Sequence, residues 1–438
     1  VPQRECRNGW IRDYIEYTKP QQSPTIFHTW TALSTIASAM RRRCWIDRSF
    51  YILYPNLYVI LVSESGVGMK STAIKIGTNT FLSKAVPDLT IMRGAITVKF
   101  LVDWMSQALA KSPDQTAEVT IFCEEFKVFA KGLYSDSGLI ENLTKIYDCG
   151  IWEYGTGGQG IYKIDKPCIN LLAGSTPEWL TTGSAADFIG GGFSSRIIPV
   201  AILKDEKQVA NPKRIPLSDE LEKRLVTDLT QISKLTGPFF VTKEAEDFFE
   251  RWYLVRDKYK NQDQRMKGFY AKKHDMVLKV AMVVSVSIND DLVITEEHIE
   301  SALSLLGKIE LTMPYAYQGV AWGEKAKFQD KVWAKISEVG MIQHAKLLEA
   351  FHYCMTGDDL KSVIHTLVDE DKVGYDRVAT SGRTKVVYVT EEYIREQCKK
   401  EGGDVIKKRF SVCSQSHPEW FEPVPPPVKE KKNGKETK

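Results

Sequence analysis

Leu57 to Ile76 reads LYVILVSESGVGMKSTAIKI, and the reading of this stretch decides the fold. Leu57 to Val62 is an unbroken apolar run with β-branched residues, the pattern of a strand buried on both faces. Ser63 to Met69 is a small turn holding Gly66 and Gly68, and Lys70-Ser71-Thr72 then opens a segment with helical spacing. A strand, a glycine turn and a Lys-Ser helix start form a phosphate cradle, in which turn amides and the helix N-terminus face the anion. In that geometry Lys70 reaches the β/γ-phosphates and the Ser71 hydroxyl ligates Mg²⁺. Ser65, Gly66, Val67, Gly68, Met69 and Thr72 complete the expected nucleotide-binding set.

The stretch departs from the P-loop pattern at two places. Gly is expected directly before the lysine, and Met69 stands there; the first Gly of the pattern is replaced by Ser63 or Glu64. The competing reading is a Gly-rich turn that merely precedes a helix containing Lys-Ser, so the other motifs have to decide. Val119 to Phe126 (VTIFCEEF) is an apolar strand ending in two carboxylates. Beside a phosphate cradle, Glu124 would hold the Mg²⁺ hydration shell and Glu125 would orient and deprotonate an attacking water. Pro167 to Ala173 is another buried strand, ending in Gly174-Ser175-Thr176-Pro177. A polar residue at its tip would sit between the cradle and the acid strand, within reach of the γ-phosphate or the water. Phe188 to Arg196 (FIGGGFSSR) is a glycine-rich loop delivering one arginine, whose planar, permanent charge suits a transition-state phosphate. A structural salt bridge is the alternative role for Arg196.

Composition sets wide bounds. The 438 residues allow two to four domains, and 43% hydrophobic with 26% charged residues is ordinary for a globular protein. A net charge of +3 permits nucleic acid without demanding it. Eight cysteines are scattered without a CxxC pair, which fits reduced thiols in a cytosolic compartment. Cys398, Cys413 and His417 are too loosely spaced for a metal site. No apolar run approaches the ~18 residues of a membrane span. The chain starts at Val1, so the sequence is consistent with a fragment of something longer.

Around the motifs, residues Trp10 to Trp45 read as helices, the second ending in Arg41-Arg42-Arg43. That triplet suits either nucleic acid or, more plainly, the negative end of the helix dipole. Ile151 to Ile164 is a hairpin by pattern, around Gly157-Gly158-Gln159-Gly160. From Thr242 the pattern turns helical, with Thr295 and His298 bracketing a helix start. Phe328 to Thr390 reads as three helices and a hairpin, a winged helix. Its third helix would expose Lys361, Ser362 and His365 to a DNA groove, with Arg377, Arg383 and Lys385 on the wing. Protein-protein docking is the other use of such a module, and Asp358, Asp359 and Asp369 on the same helix leave it open. The Pro-rich and Lys-rich end, within 396–438, is expected to be largely disordered.

VSESGVGMKST, IFCEEF, LLAGSTPEWL and GGGFSSR, in this order, resemble AAA+ ATPases of the clade with a hairpin before the sensor-1 strand. That clade holds superfamily III viral helicases and minichromosome maintenance helicases; the nearer likeness is to helicase-like proteins of phages and mobile elements with a C-terminal winged helix. The resemblance spans Pro24 to Thr390. It implies an α/β fold: an N-terminal helical segment (1–50), an AAA+ P-loop core with a parallel sheet (51–240), a helical lid (241–320), a winged helix (325–395) and the tail. It further implies Lys70 and Ser71 as Walker A, Glu124 and Glu125 as Walker B, Thr176 or Ser175 as sensor 1, and Arg196 as a finger acting on a neighbouring subunit's ATP. Lys272 falls where a sensor-2 arginine stands in minichromosome maintenance proteins. At the hairpin, the family's gripping lysine or aromatic is replaced by glycines, leaving Tyr162, Lys163 and Lys166 on the flank as DNA contacts. The implied protein is a cytoplasmic, homo-oligomeric and ring-forming ATP- and Mg²⁺-dependent DNA helicase, a hexamer by analogy, acting on single-stranded DNA with duplex DNA left open. A loader that remodels a partner without unwinding, and a degenerate P-loop without catalysis, are the alternatives.

Overall fold

Tyr58 to Val62 forms strand β3, and every residue in it is buried. The computed structural model describes residues 4–422 apart from 7, 95–96, 127–137, 157–159, 178–191, 206, 213–217, 256–263, 318–323, 353–354 and 381–382. The hairpin tip at Gly157 to Gln159, the glycine run up to Gly191, the Ser381-Gly382 turn and the tail from Pro423 therefore lie outside the described residues. The chain divides into two compact units, Val1–Val320 and Ala321–Lys438.

In the first unit, β3 is the fourth strand of a five-stranded, all-parallel sheet. Its partners are β4 (Thr90–Arg93), β5 (Ala117–Cys123), β8 (Pro167–Ser175) and β9 (Ile197–Ala201), in the order β4-β5-β8-β3-β9. The acid strand β5 is thus not a neighbour of the P-loop strand: β8 runs between them, as its polar tip required. β5 and β8 are buried along their whole length, which is why each reads as a mostly apolar run, with Glu118, Thr120, Asn170 and Ser175 as buried polar exceptions, and not as an alternation. A parallel order needs crossovers, and helices α3 (Lys70–Lys75), α4 (Val98–Lys111) and α5 (Gly138–Tyr147) lie within them. α3 continues into a π-helical stretch, Ile76–Leu82. There Gly77 lies so close to helix α2 (Thr25–Met40) that a Cβ would come within 2.4 Å of Thr31 Cγ2.

Helices α1 (Trp10–Thr18) and α2 (Thr25–Met40) precede the sheet. α2 reads as one apolar stripe but is buried nearly all round, because it packs on β3, β8, β9, α3 and α8 (Lys267–Ile288) together. The arginine triplet at its end is spent on internal ties. Arg41 pairs with Asp88 at 2.7 Å and Glu118 at 3.5 Å, and Arg42 donates to the Cys149 and Pro167 carbonyls. β1 (Cys44–Asp47) and β2 (Ile52–Leu53) form a small antiparallel pair, and β6 (Trp152–Thr156) with β7 (Gly160–Ile164) forms the expected hairpin just before β8. Helices α6 (Ser218–Ile232), α7 (Lys243–Val255), α8 and α9 (Glu296–Glu310) complete the unit. Residues 1–50, 51–240 and 241–320 share one continuous core, from Cys6 through the sheet to Tyr317. His298 caps α9 by accepting from the Thr295 amide at 3.2 Å, but it is buried, not on the surface.

The second unit has helices α10 (Glu324–Val339), α11 (His344–Phe351) and α12 (Gly357–Asp369) against an antiparallel sheet. Its strands β10 (Met341–Gln343), β12 (Arg383–Val389) and β11 (Gly374–Thr380) run in that order. The expected disorder is corrected for 396–421, while the Pro-rich and Lys-rich residues from Pro423 lie outside the described residues. Helices α13 (Glu391–Glu401), α14 (Gly403–Arg409) and α15 (Ser411–Ser416) and a 3₁₀ turn, Pro418–Phe421, form a second small core. Ile406, Phe410, Cys413, Trp420 and Phe421 pack there on Val387 and Val389. The average polarity of the segment hides these few large side chains. Among the described residues no helix is long and apolar enough to cross a membrane, and the described cysteines are unbridged.

Candidate functional site

The C-terminal ends of parallel strands are where an open α/β sheet leaves room for ligands. There, Glu64, Ser65, Gly66, Val67, Met69, Lys70, Ser71 and Thr72 from the loop face Glu124, Glu125 and Phe126 after β5 and Gly174, Ser175 and Thr176 at the end of β8, around a cleft of about 850 Å³. The glycine-containing loop, both carboxylates and the polar strand tip are therefore together in one cleft. Gly68 does not line it and is buried.

The loop turns on left-handed backbone. Gly66 (φ 80°), Gly68 (φ 72°) and Met69 (φ 45°, ψ 44°) all have positive φ. At Gly68 a side chain is also excluded by space, because a Cβ would lie 2.7 Å from Phe27 Cε2 and from Ile202 Cδ1. The Lys70 ammonium is folded onto its own loop, donating to the Ser63 carbonyl (2.9 Å), Ser63 Oγ (2.7 Å) and the Glu64 carbonyl (3.0 Å). Triphosphate oxygens would compete with these acceptors for the same ammonium. Met69 caps α3, and its side chain stands 44% exposed on the cleft wall. The backbone on either side of Met69 is held from elsewhere in the chain. The Gly68 amide donates to Asp205 Oδ1 at 2.7 Å, and the Ser23 hydroxyl donates to the Met69 carbonyl at 3.1 Å.

Across the cleft, Glu124 and Glu125 are exposed, and Glu124 pairs with Lys75 of α3 at 2.9 Å. Gly174 lets β8 pass beneath them: a Cβ there would meet the Glu124 carbonyl at 2.6 Å. Mg²⁺ in a nucleotide site keeps several waters and takes only one or two protein ligands beside the phosphates. The Ser71 hydroxyl and the Glu124 carboxylate in one cleft fit that demand. Among the described residues no group of three or more His, Cys, Asp or Glu could hold a metal unaided.

Two predicted site residues lie elsewhere. Arg196 ends the turn before β9, and Ile197 is in register with Tyr58, the first residue of β3. Five residues of strand, roughly 16 Å, separate that end of the sheet from the loop. Arg196 is 15% exposed, ion-paired to Asp148 at 2.8 Å, bonded to the Gly192 carbonyl, and set over the Tyr147 ring. Lys272, expected at the nucleotide, is also not in the cleft. It lines a second cavity of about 340 Å³ with Tyr51, Tyr147, Asp148, His274 and Asp275, so it accompanies Arg196's partner. Sequence spacing puts Lys272 on α8 but does not say which end of the sheet α8 passes. At the floor of that cavity Lys279 is fully buried, bonded to Asn56 and set 4.3 Å from the Tyr147 ring centroid; burial pushes its ammonium down from the ordinary lysine range.

The residues proposed to touch DNA are mostly solvent-facing. Lys163 and Lys166 are exposed, the former 3.4 Å from Asp165, while Tyr162 is half-buried against the core. All three precede β8, and Lys166 adjoins its first residue, at the sheet end opposite the cleft. Lys361, Ser362 and His365 point outward from α12, but Lys361 pairs with Asp358 and His365 with Asp369. The side chain of Arg383 lies outside the described residues. Ser23, Lys75, Asp148 and Asp205 were missed, and no motif marks them, since each acts across the fold on a partner distant in sequence. No model of a known protein family matches the chain, and no curated protein sequence matches it.

Proposed function

We propose that this chain is a Mg²⁺-dependent ATPase of the AAA+ type, and within that class a ring-forming DNA helicase or translocase. The observation that supports this most is the convergence of Lys70, Ser71, Glu124, Glu125 and Thr176 in one cleft at the ends of three adjacent strands. On this reading Lys70 and the loop amides bind the β/γ-phosphates, and Ser71 and Glu124 hold Mg²⁺. The metal's part is to neutralise charge on the phosphate oxygens. Glu125 takes the proton of the attacking water, and Thr176 fixes that water or the γ-phosphate. Arg196, out of reach of its own cleft, serves the cleft of a neighbouring copy, in a ring taken as a hexamer. The hairpin runs directly into β8, whose far end carries Thr176. One stiff strand thus links the phosphate site to Tyr162, Lys163 and Lys166, the proposed contacts to single-stranded DNA.

The helical segment 241–320 then acts as a lid and the second unit as a winged helix, serving replication of a phage or mobile element in a bacterial cytoplasm, with a primase domain a natural neighbour. The loader reading draws on one observation: of Lys361, Ser362 and His365, the groups that α12 would offer to a DNA groove, Lys361 and His365 are already paired to acids, which weakens a phosphate contact and favours a protein one.

ATP turnover by the purified chain is the deciding measurement. Glu125→Gln should lower turnover by about 10²–10⁴-fold with nucleotide still bound, and Lys70→Ala should remove binding. Wild-type protein that shows no ATP hydrolysis at any concentration, with or without DNA, sinks the motor reading. Strand separation on a forked substrate then divides helicase from loader.

A further inference from the structure

The loop lacks the glycine that a P-loop has before its lysine, yet Met69 adopts the left-handed conformation a glycine would supply. For a residue with a Cβ that conformation is uncommon and persists where the surroundings over-determine it. The surroundings are specific. Ile202 continues β9 with its amide on the Val62 carbonyl, and the chain then turns so that Asp205 reaches the Gly68 amide. The connection between α1 and α2 reaches the Met69 carbonyl through the Ser23 hydroxyl. These two segments are themselves tied, because Lys207 Nζ donates to the Lys19 carbonyl at 2.6 Å.

We propose that Asp205 and Ser23 are positioning residues for the phosphate cradle, and that the Asp205 carboxylate also limits nucleotide affinity; this rests on the nucleotide reading above. The hydroxyl and the carboxylate grip the two backbone groups that flank the left-handed turn, one a carbonyl and one an amide. They hold the loop open in the shape that a Gly-Lys pair reaches without help. The grip has an electrostatic consequence. The Gly68 amide is engaged by an anion belonging to the protein, behind a cleft that Gly68 itself does not line, so it is withdrawn from the phosphates. The same carboxylate sets a negative charge close behind the loop that must receive them. Geometry and charge then oppose each other, and they can be separated by substitution. Asp205→Asn keeps an acceptor for the amide and removes the charge; Asp205→Ala removes both.

The hold is read without nucleotide, by hydrogen exchange at the Gly68 amide. Asp205→Ala should speed that exchange by about tenfold or more, as expected when a charged partner is lost, and Asp205→Asn should change it little. Ser23→Ala should speed exchange of the neighbouring loop amides. The charge is read from dissociation constants for ATP, ADP and AMP at low and high salt. Asp205→Asn should bind ATP about three- to tenfold tighter at low salt, with less gain for AMP and less at high salt. Asp205→Ala should bind all three more weakly than Asp205→Asn. A purely structural role would move exchange and leave the ATP-to-AMP ratio and its salt dependence unchanged. Equal exchange in all three proteins overturns the positioning claim, and an ATP-to-AMP ratio unmoved by Asp205→Asn overturns the charge claim. Failure of the nucleotide reading looks different: wild type binds no ATP while the exchange pattern holds, and the affinity claim then falls with it.

Discussion

Met69 is the residue at which the sequence pattern and the backbone meet. Left-handed backbone costs an L-residue roughly 1–2 kcal/mol relative to glycine. At Met69, therefore, the usual order of substitutions for a position bordering a helix should invert. Met69→Gly should match or exceed Met69→Ala in thermal stability, by about 1 kcal/mol, whereas inside a helix alanine would win by about that much. Unfolding of the two variants side by side measures this, and an alanine variant that is clearly the more stable would contradict the left-handed turn. A second residue beneath the loop gives a pH signature. His28 is buried, with no hydrogen-bond partner on either ring nitrogen among the described residues, and burial, aided by nearby Lys207, lowers its pKa to about 3. Its unfolded value is near 6.5, so the unfolded chain takes up the proton first. The contribution to stability is complete above about pH 6.5 and declines as the pH falls toward 3, by at most about 1.4 kcal/mol per unit. His28→Leu should flatten the stability profile in that window relative to wild type, and an unchanged slope would remove His28 as its source.

At the scale of elements, the buried strands were legible because complete burial leaves a mostly apolar run: β3 is uninterrupted, and β5 and β8 are broken only by the buried polar residues Glu118, Thr120, Asn170 and Ser175. Their order was legible only in part. That a polar strand tip belongs between the loop and the acids follows from chemistry, but the flanking places of β4 and β9 come from crossovers that no local pattern encodes. The site was legible where its residues follow a strand directly, as Glu124, Glu125 and Thr176 do. It was illegible where a loop reaches back over the fold, as with Asp205 and Ser23, or where a helix direction decides, as with Lys272. The folded segment after 396 is hidden by its average polarity, and one of its ties is a buried carboxylate in a different element. Asp376 of β11 is 1% exposed, and its Oδ2 accepts from the Val412 and Cys413 amides at 2.8 and 2.9 Å, capping α15. Gly374 on the same strand is approached by Cys413 and Trp420 so closely that a Cβ would lie 2.5 Å from Cys413 Sγ. Asp376→Ala leaves those amides buried without an acceptor, at a cost of about 1.5–3 kcal/mol. Limited proteolysis should then cut within 403–421 at protease levels that leave the wild type intact. Equal resistance in the two proteins would mean that α15 is held by its apolar contacts alone.

At the scale of the whole molecule, the separation of Arg196 from the cleft sets, on the proposed reading, how many copies a working site needs. The two lie at opposite ends of one sheet, and a parallel strand is too stiff to bring them together. Arg196 is also held back by Asp148 and the Gly192 carbonyl, contacts that a phosphate of another copy would have to replace. On the proposed reading Lys70→Ala and Arg196→Ala each disable every site in a uniform ring, but by damaging opposite faces of the protomer. Mixed before assembly, the two variants form some interfaces that pair an intact cleft with an intact arginine. In a random equal mixture about a quarter of the interfaces are of this kind, so turnover should reappear well above either variant alone and vanish on dilution below the assembly concentration. Asp148→Ala, which removes one of the acceptors that hold the arginine without touching the cleft, should raise turnover at subsaturating protein. A site complete within one copy predicts the opposite pattern: no rescue on mixing, and turnover per chain that does not change with dilution. Rescue with wild-type-like nucleotide binding by Arg196→Ala is the result that assigns the arginine to its neighbour.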